Sequence, residues 1–129
     1  LRNMFKEIMD EFTKREYNFE NGDLSKWVTR EKIMLLNTSL TVMEKSPGSH
    51  TTYWSNITDK LISFIADNNQ SCVFLLMGNH AKQKAELIED KKRIVASAHP
   101  SPLSAHRGFF GSDVFKKIEK KIGPIDWQN

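Results

Sequence analysis

Between His99 and Gly111 the chain reads His-Pro-Ser-Pro-Leu-Ser-Ala-His-Arg-Gly-Phe-Phe-Gly, and several kinds of chemistry are packed into that run. Pro100 and Pro102 set their own φ near about −65° and restrict the residues before them, so His99 and Ser101 are held extended. The His99 ring offers a donor and an acceptor nitrogen. The hydroxyls of Ser101 and Ser104 and the guanidinium of Arg107 are groups that bind phosphate oxygens. Leu103 is a bare aliphatic side chain between polar neighbours. A stiff loop of this composition suits gripping a nucleic-acid backbone while prising a base out of its stack. Each residue also has a plainer reading: an isolated histidine is often a satisfied structural residue, and a leucine in a loop can be ordinary surface.

A second candidate group is Asn37, which closes the apolar run Ile33-Met34-Leu35-Leu36. Its carboxamide carries one acceptor oxygen and two donors, although on spacing alone an asparagine after a strand is a turn or cap residue. A third is Gly78-Asn79-His80, which follows the apolar run Val73 to Met77. His50, His80 and His106 lack a comparable context. No His, Cys or carboxylate set has metal-ligand spacing, so no metal site is expected. Cys72 opens an apolar run and reads as a small core residue rather than a nucleophile.

These groups need elements to hold them. Met4, Phe5, Ile8, Met9 and Phe12 recur at helical spacing, predicting an amphipathic helix over 2–16. A short helical segment is expected from Ser25, and a long helix over 51–68 from Trp54, Ile57, Leu61, Phe64 and Ile65. Residues 80–89 read as a helix, and a last one opens at Ser112 or Asp113 and ends at Gly123-Pro124. Ile33–Leu36, Val73–Met77 and Arg93–Ala98 read as three strands covered on both faces. The alternation implies an α/β fold, a three-layer α/β/α arrangement around a central parallel sheet with right-handed crossovers. Ligands of such sheets bind at the carboxyl ends of strands. Asn37, Asn79 and His99 each follow a strand, so all three are delivered to one rim.

At 129 residues, 39% hydrophobic and 27% charged, the chain is expected to form a single globular domain over 1–129. One cysteine excludes an intrachain disulfide and fits a reducing, intracellular compartment. No stretch is long and apolar enough for a bilayer, and the acidic groups within residues 1–12 argue against a signal or transit peptide. The net charge of +3 is uneven: residues 1–78 hold 9 Lys/Arg against 10 Asp/Glu, residues 79–129 hold 10 against 6. The basic half carries the His99 run and fits a phosphate-rich partner; a lysine-rich solvated face accounts for the charge equally well.

The His99–Gly111 run closely resembles the C-terminal signature loop of the family 1 uracil-DNA glycosylases. Leu35 to Val42 is similar to that family's uracil-reading segment, and Gly22 to Trp27, Tyr53-Trp54, Phe74 to Gly78 with Ala81, and Pro124 to Trp127 also look like family segments. The resemblance implies excision of uracil from DNA without a cofactor, initiating base excision repair. It implies that Asn37 reads uracil, whose N3–H donor and O4 acceptor match one carboxamide where cytosine would not. His99 would act as a neutral donor to the departing uracilate, as an oxyanion hole does. Leu103 would fill the vacated stack, and Ser101, Ser104, Arg107 and Asn79 would grip flanking phosphates. Ser49-His50 resembles a family loop near the DNA backbone. The partners implied are uracil-containing DNA and, among proteins, a DNA-mimicking glycosylase inhibitor or a replication factor, in the nucleus or cytoplasm, of the host if the source is viral.

Asn79 departs from the family, which commonly has serine there. A larger departure is the family's Gly-Gln-Asp-Pro-Tyr loop, which holds the water-orienting aspartate and has no counterpart here. None of Asp10, Asp23, Asp59, Asp67, Asp90, Asp113 or Asp126 stands in its context. The family's sheet has four parallel strands, so an upstream segment or another chain is expected to complete this one. Two other readings stay open: a catalytically incomplete DNA-binding module of the same fold, and an unrelated nucleotide-binding α/β domain, which no Gly-rich phosphate loop supports.

Overall fold

The computed structural model describes residues 1–129. Its helices are α1 (Arg2–Glu11), α2 (Ser25–Thr29), α3 (Thr51–Asn68), α4 (Asn79–Gln83) and α5 (Val114–Ile122), with strands β1 (Phe74–Met77) and β2 (Ile94–Ser97). Short 3-10 turns occupy Lys84–Leu87, Lys91–Arg93 and Ala105–Arg107. No helix is long and apolar enough to cross a membrane.

β1 and β2 pair in parallel, Phe74 opposite Ile94 and Met77 opposite Ser97, with α4 between them in sequence. Side chains alternate across this ribbon. Val95, with the half-buried Leu75 and Met77, faces a large cluster built from Phe5, Ile8 and Phe12 of α1, Val114, Phe115 and Ile118 of α5, and Trp27 and Trp127. Phe74 and Ile94 face a smaller one formed by Ile62 and Ala66 of α3 and by Ile88. Helices thus cover both faces of the sheet, an α/β architecture in layers.

The two faces are unequal. Only 22 of 129 residues are buried, most of them on the α1–α5 side, while Ile57, Leu61 and Phe64 of α3 stay exposed. The expected strand over Ile33–Leu36 does not form. A strand exists only as one side of a hydrogen-bonded ladder; here the Ile33 N–H turns back to the Trp27 carbonyl, and Met34 and Leu35 are exposed. The sheet therefore has two strands rather than three. A concavity of about 340 Å³ opens beside that run, lined by Val28, Lys32, Ile33, Met34 and Leu35.

Tertiary bonds explain the other shifted boundaries. The first helix stops at Glu11 because Arg15 is drawn to α5, where its guanidinium meets both Glu119 carboxylate oxygens at 2.7 Å and lies over the Phe12 ring. Arg93 leaves the strand to serve α3: its guanidinium donates to the Ala66, Asn69 and Cys72 carbonyls, a cation placed where the α3 dipole favours one. Residues 80–89 begin as α4 and tighten into the 3-10 turn at Lys84. Cys72 is half-buried, and burial pushes its thiol up from the ordinary value, as suits an inert packing group.

Candidate functional site

β1 and β2 end at the same level, and the residues that follow them meet. The Gly78 N–H donates to the Ser97 carbonyl at 2.9 Å, extending the ladder past β1. Gly78 then takes φ 88°, ψ 168°, a region open in practice to glycine alone. A Cβ at this position would lie 3.0 Å from the His99 Cβ. Glycine thereby turns the chain into α4 and lets His99 close against it. Asn79, the first residue of α4, is exposed at the same strand end.

The His99 ring receives a hydrogen bond from its own loop: the Ser101 N–H donates to Nδ1 at 3.1 Å. To accept, Nδ1 must carry no proton, so the neutral ring holds its proton on Nε2. That tautomer is assigned from the hydrogen-bond network. The exposed ring then presents Nε2–H as a donor to whatever enters the rim.

The loop folds back on His99. Ser104 Oγ donates to the His99 carbonyl at 2.9 Å, and Ser101 Oγ lies 2.9 Å from Ser104 Oγ. Both hydroxyl protons are therefore used inside the loop, and a phosphate would have to draw them outward. Leu103 projects from this turn 87% exposed, and Arg107 is exposed and outside every ion pair. Beneath the turn Ala105 and Phe109 are completely buried. His106 packs edge-on against Phe110 with centroids 5.2 Å apart, and Lys6 lies 5.3 Å from that ring, so basic groups surround the loop.

Asn37 stands apart. Leu36 packs on the smaller cluster, and the Thr38 carbonyl accepts from Thr58 of α3 at 3.0 Å. The chain is thus anchored on either side of Asn37, whose exposed carboxamide is uncommitted. The structure joins His99, Ser101 and Ser104 by hydrogen bonds and brings Asn79 beside them through Gly78. Arg107 is tied to that group through its backbone, its N–H donating to the Ser104 carbonyl at 2.9 Å, while no bond joins Asn37 to it. No three His, Cys, Asp or Glu side chains gather where they could hold a metal ion.

One polar hub escapes sequence reasoning. Thr41 Oγ1 lies 2.9 Å from His50 Nδ1 and accepts from Trp54 Nε1 at 2.6 Å, while Ser49 Oγ accepts from the Met43 N–H at 2.8 Å. These bonds pin the segment after Asn37 to the start of α3. The signals were indirect: Ser49 and His50 precede a periodic helix, and Ser49-His50, Leu35–Val42 and Tyr53-Trp54 each resemble family segments, but nothing in the sequence joins them to one another.

A family model described as the Uracil DNA glycosylase superfamily matches residues 1–123. A uracil-DNA glycosylase of Amoebophilus asiaticus is 43% identical, the match covering 98% of this chain and 60% of that protein. One from Azotobacter vinelandii is 41% identical over 98% of this chain and 56% of its own. The chain thus spans about three-fifths of the length of the curated relatives it matches. Among solved structures, a mimivirus UNG variant in complex with UGI superposes with a TM-score of 0.70 at 29% identity, covering 81% of this chain and 38% of that one. A second variant of the mimivirus protein, also with UGI, gives a TM-score of 0.69 at 28% identity.

Proposed function

The chain belongs to the Uracil DNA glycosylase superfamily, and from that premise we propose that it carries the leaving-group and base-reading groups of a site that excises uracil from DNA, initiating base excision repair. The observation that carries this reading is the Ser101 N–H bond to His99 Nδ1. It leaves a neutral ring with its Nε2–H free to donate. When the bond between uracil N1 and the deoxyribose C1′ breaks, its electron pair stays on the base, partly on O2. A donor already oriented toward that oxygen lowers the barrier without transferring a proton. Water then forms the new bond to C1′ and loses a proton.

Asn37 is the uracil reader: its flanking residues are fixed and its carboxamide is free. Leu103 is the wedge, and Arg107 and Asn79 meet phosphates, joined by Ser101 and Ser104 once their hydroxyls turn outward. We assign completion of the sheet, and the carboxylate that orients the water, to a further segment or another chain. The exposed apolar stretch containing Met34, Leu35, Leu40, Val42 and Met43 supports that assignment. The mimivirus complexes with UGI support an inhibitor protein as a further partner, and the single free cysteine fits an intracellular, reducing site of action, nucleus or cytoplasm.

His99→Leu provides the test. Single-turnover release of labelled uracil should fall by about 10²–10³, the usual effect of losing one oxyanion donor, while affinity for the oligonucleotide changes far less. Equal losses in binding and release would make His99 a support of the loop. Tight DNA binding with no uracil released by the unsubstituted protein, once the completing segment or chain is present, would favour a binding module.

A further inference from the structure

Asn3, Glu7 and Glu11 of α1 are spaced by four and share one face of the helix. That face runs beside the chain from the His99 loop into α5. Asn3 Nδ2 donates to the Pro100 carbonyl at 2.8 Å. Glu7 Oε2 accepts from the Gly111 N–H at 3.0 Å. The two Glu11 oxygens accept from the Phe115 and Lys116 N–H groups at 3.3 and 2.7 Å.

Burial makes these bonds informative. Glu7 is 1% exposed and Glu11 5%, and an interior carboxylate is expensive unless its hydrogen bonds are specific. Apolar side chains would fill the same face at less cost, so packing alone does not account for acids here. Pro100 directly follows His99, and Gly111 closes the run that carries Leu103 and Arg107. The stripe therefore takes hold of the loop where it begins and where it ends. One atom is left over: Glu7 Oε1 is buried with no hydrogen-bond donor.

We infer that Asn3 and Glu7 are positioning residues for the His99 loop, fixing the His99 donor and the Leu103 wedge relative to each other through the Pro100 carbonyl and the Gly111 amide. Glu11 anchors the adjoining start of α5. The activity arm of the test rests on the uracil-excision reading; the structural arm does not.

Four proteins are compared: the unsubstituted one, Glu7→Leu (similar volume, no acceptor), Glu7→Gln (acceptor kept) and Asn3→Ala. Each is followed by amide hydrogen exchange at Gly111 and Ser101, by single-turnover uracil release from duplex DNA, and by DNA affinity. Glu7→Leu should raise Gly111 exchange about tenfold or more, the effect of losing a hydrogen bond to a charged group. It should slow release more than it weakens binding, and Glu7→Gln should recover most of both losses. Asn3→Ala should loosen Ser101 in the same sense and slow release less. Gly111 exchange and release that are unchanged in Glu7→Leu would overturn the assignment, as would losses that Glu7→Gln fails to recover. If Glu7→Leu does not fold, unchanged Ser101 exchange and release in Asn3→Ala overturn it instead. If the unsubstituted protein releases no uracil with the completing segment or chain present, the excision reading falls while exchange at Gly111 and Ser101 still decides the positioning role.

Discussion

Gly78 and His99 touch because one of them has no side chain. Gly78→Ala would place a Cβ 3.0 Å from the His99 Cβ in a backbone region that costs a non-glycine residue about 1–3 kcal/mol. The strain has two outlets, relaxation of the β1–α4 turn or displacement of His99, and both move the ring. We therefore expect a lower urea midpoint together with at least a tenfold loss, roughly 1.4 kcal/mol, in single-turnover uracil release. A stability loss with release unchanged would mean that the turn absorbs the strain and the His99 position is not critical. At this scale the sequence was legible where local chemistry is unusual. Prolines on both sides of Ser101, with Leu103 directly after the second, announced the loop, and Gly78 stood where a strand had to end. Glu7 and Glu11 were not legible, because their partners Gly111, Phe115 and Lys116 lie about a hundred positions away. Spacing shows that two acids share a helix face, and says nothing of what that face will meet.

Among the elements, α3 appears where its apolar period put it, Thr51 to Asn68. Local pattern suffices there because a helix makes its hydrogen bonds within itself. The Ile33–Leu36 run failed as a strand for the complementary reason: its apolar content is right, but the ladder needs a neighbour that local sequence does not supply. The start of α5 shows a further substitution of distant for local chemistry. Asp113 stands at its N-cap in a left-handed conformation and makes no side-chain cap; Glu11 of α1 does that work instead. Burial is the chief reason that the Glu11 carboxyl is raised from 4.5 to about 7, with the neighbouring Glu7 adding to it against the two backbone bonds. A carboxyl raised on folding binds its proton more tightly in the native state. Its contribution to stability is therefore fullest below its unfolded value and is lost as pH rises from about 4.5 to about 7. Glu11→Gln removes that titration. The difference in urea midpoint between variant and parent should shift in the variant's favour from about pH 5 to about pH 8. A shift the other way would mean that the ionised carboxylate at the α5 N-terminus outweighs the cost of burying it.

For the whole molecule, function depends on how a small sheet divides its surroundings. One face is packed by α1 and α5 and holds the His99 loop firmly through Ala105 and Phe109; the other is covered by α3, whose own Ile57, Leu61 and Phe64 stay exposed. The excess of positive charge lies in the half of the sequence that carries the loop, so attraction to a phosphate backbone and insertion into its stack are supplied by neighbouring residues of different kinds. Leu103 and Arg107 separate the two effects. An apolar wedge matters only when a duplex must be opened, and flipping costs a few kcal/mol, least for mismatched or single-stranded bases. Leu103→Ala should therefore slow excision most from U·A pairs, less from U·G mismatches and least from single strands. Arg107→Ala should weaken binding to all three more evenly and flatten the salt dependence, because every substrate has phosphates. Single-turnover excision on the three substrates, with affinity followed across a salt series, reads both. Equal slowing on all three by Leu103→Ala would make Leu103 an exposed side chain with no part in opening the duplex. An unchanged salt slope in Arg107→Ala would move the phosphate contact to another cation near the loop, such as Lys6, which lies 5.3 Å from the Phe110 ring.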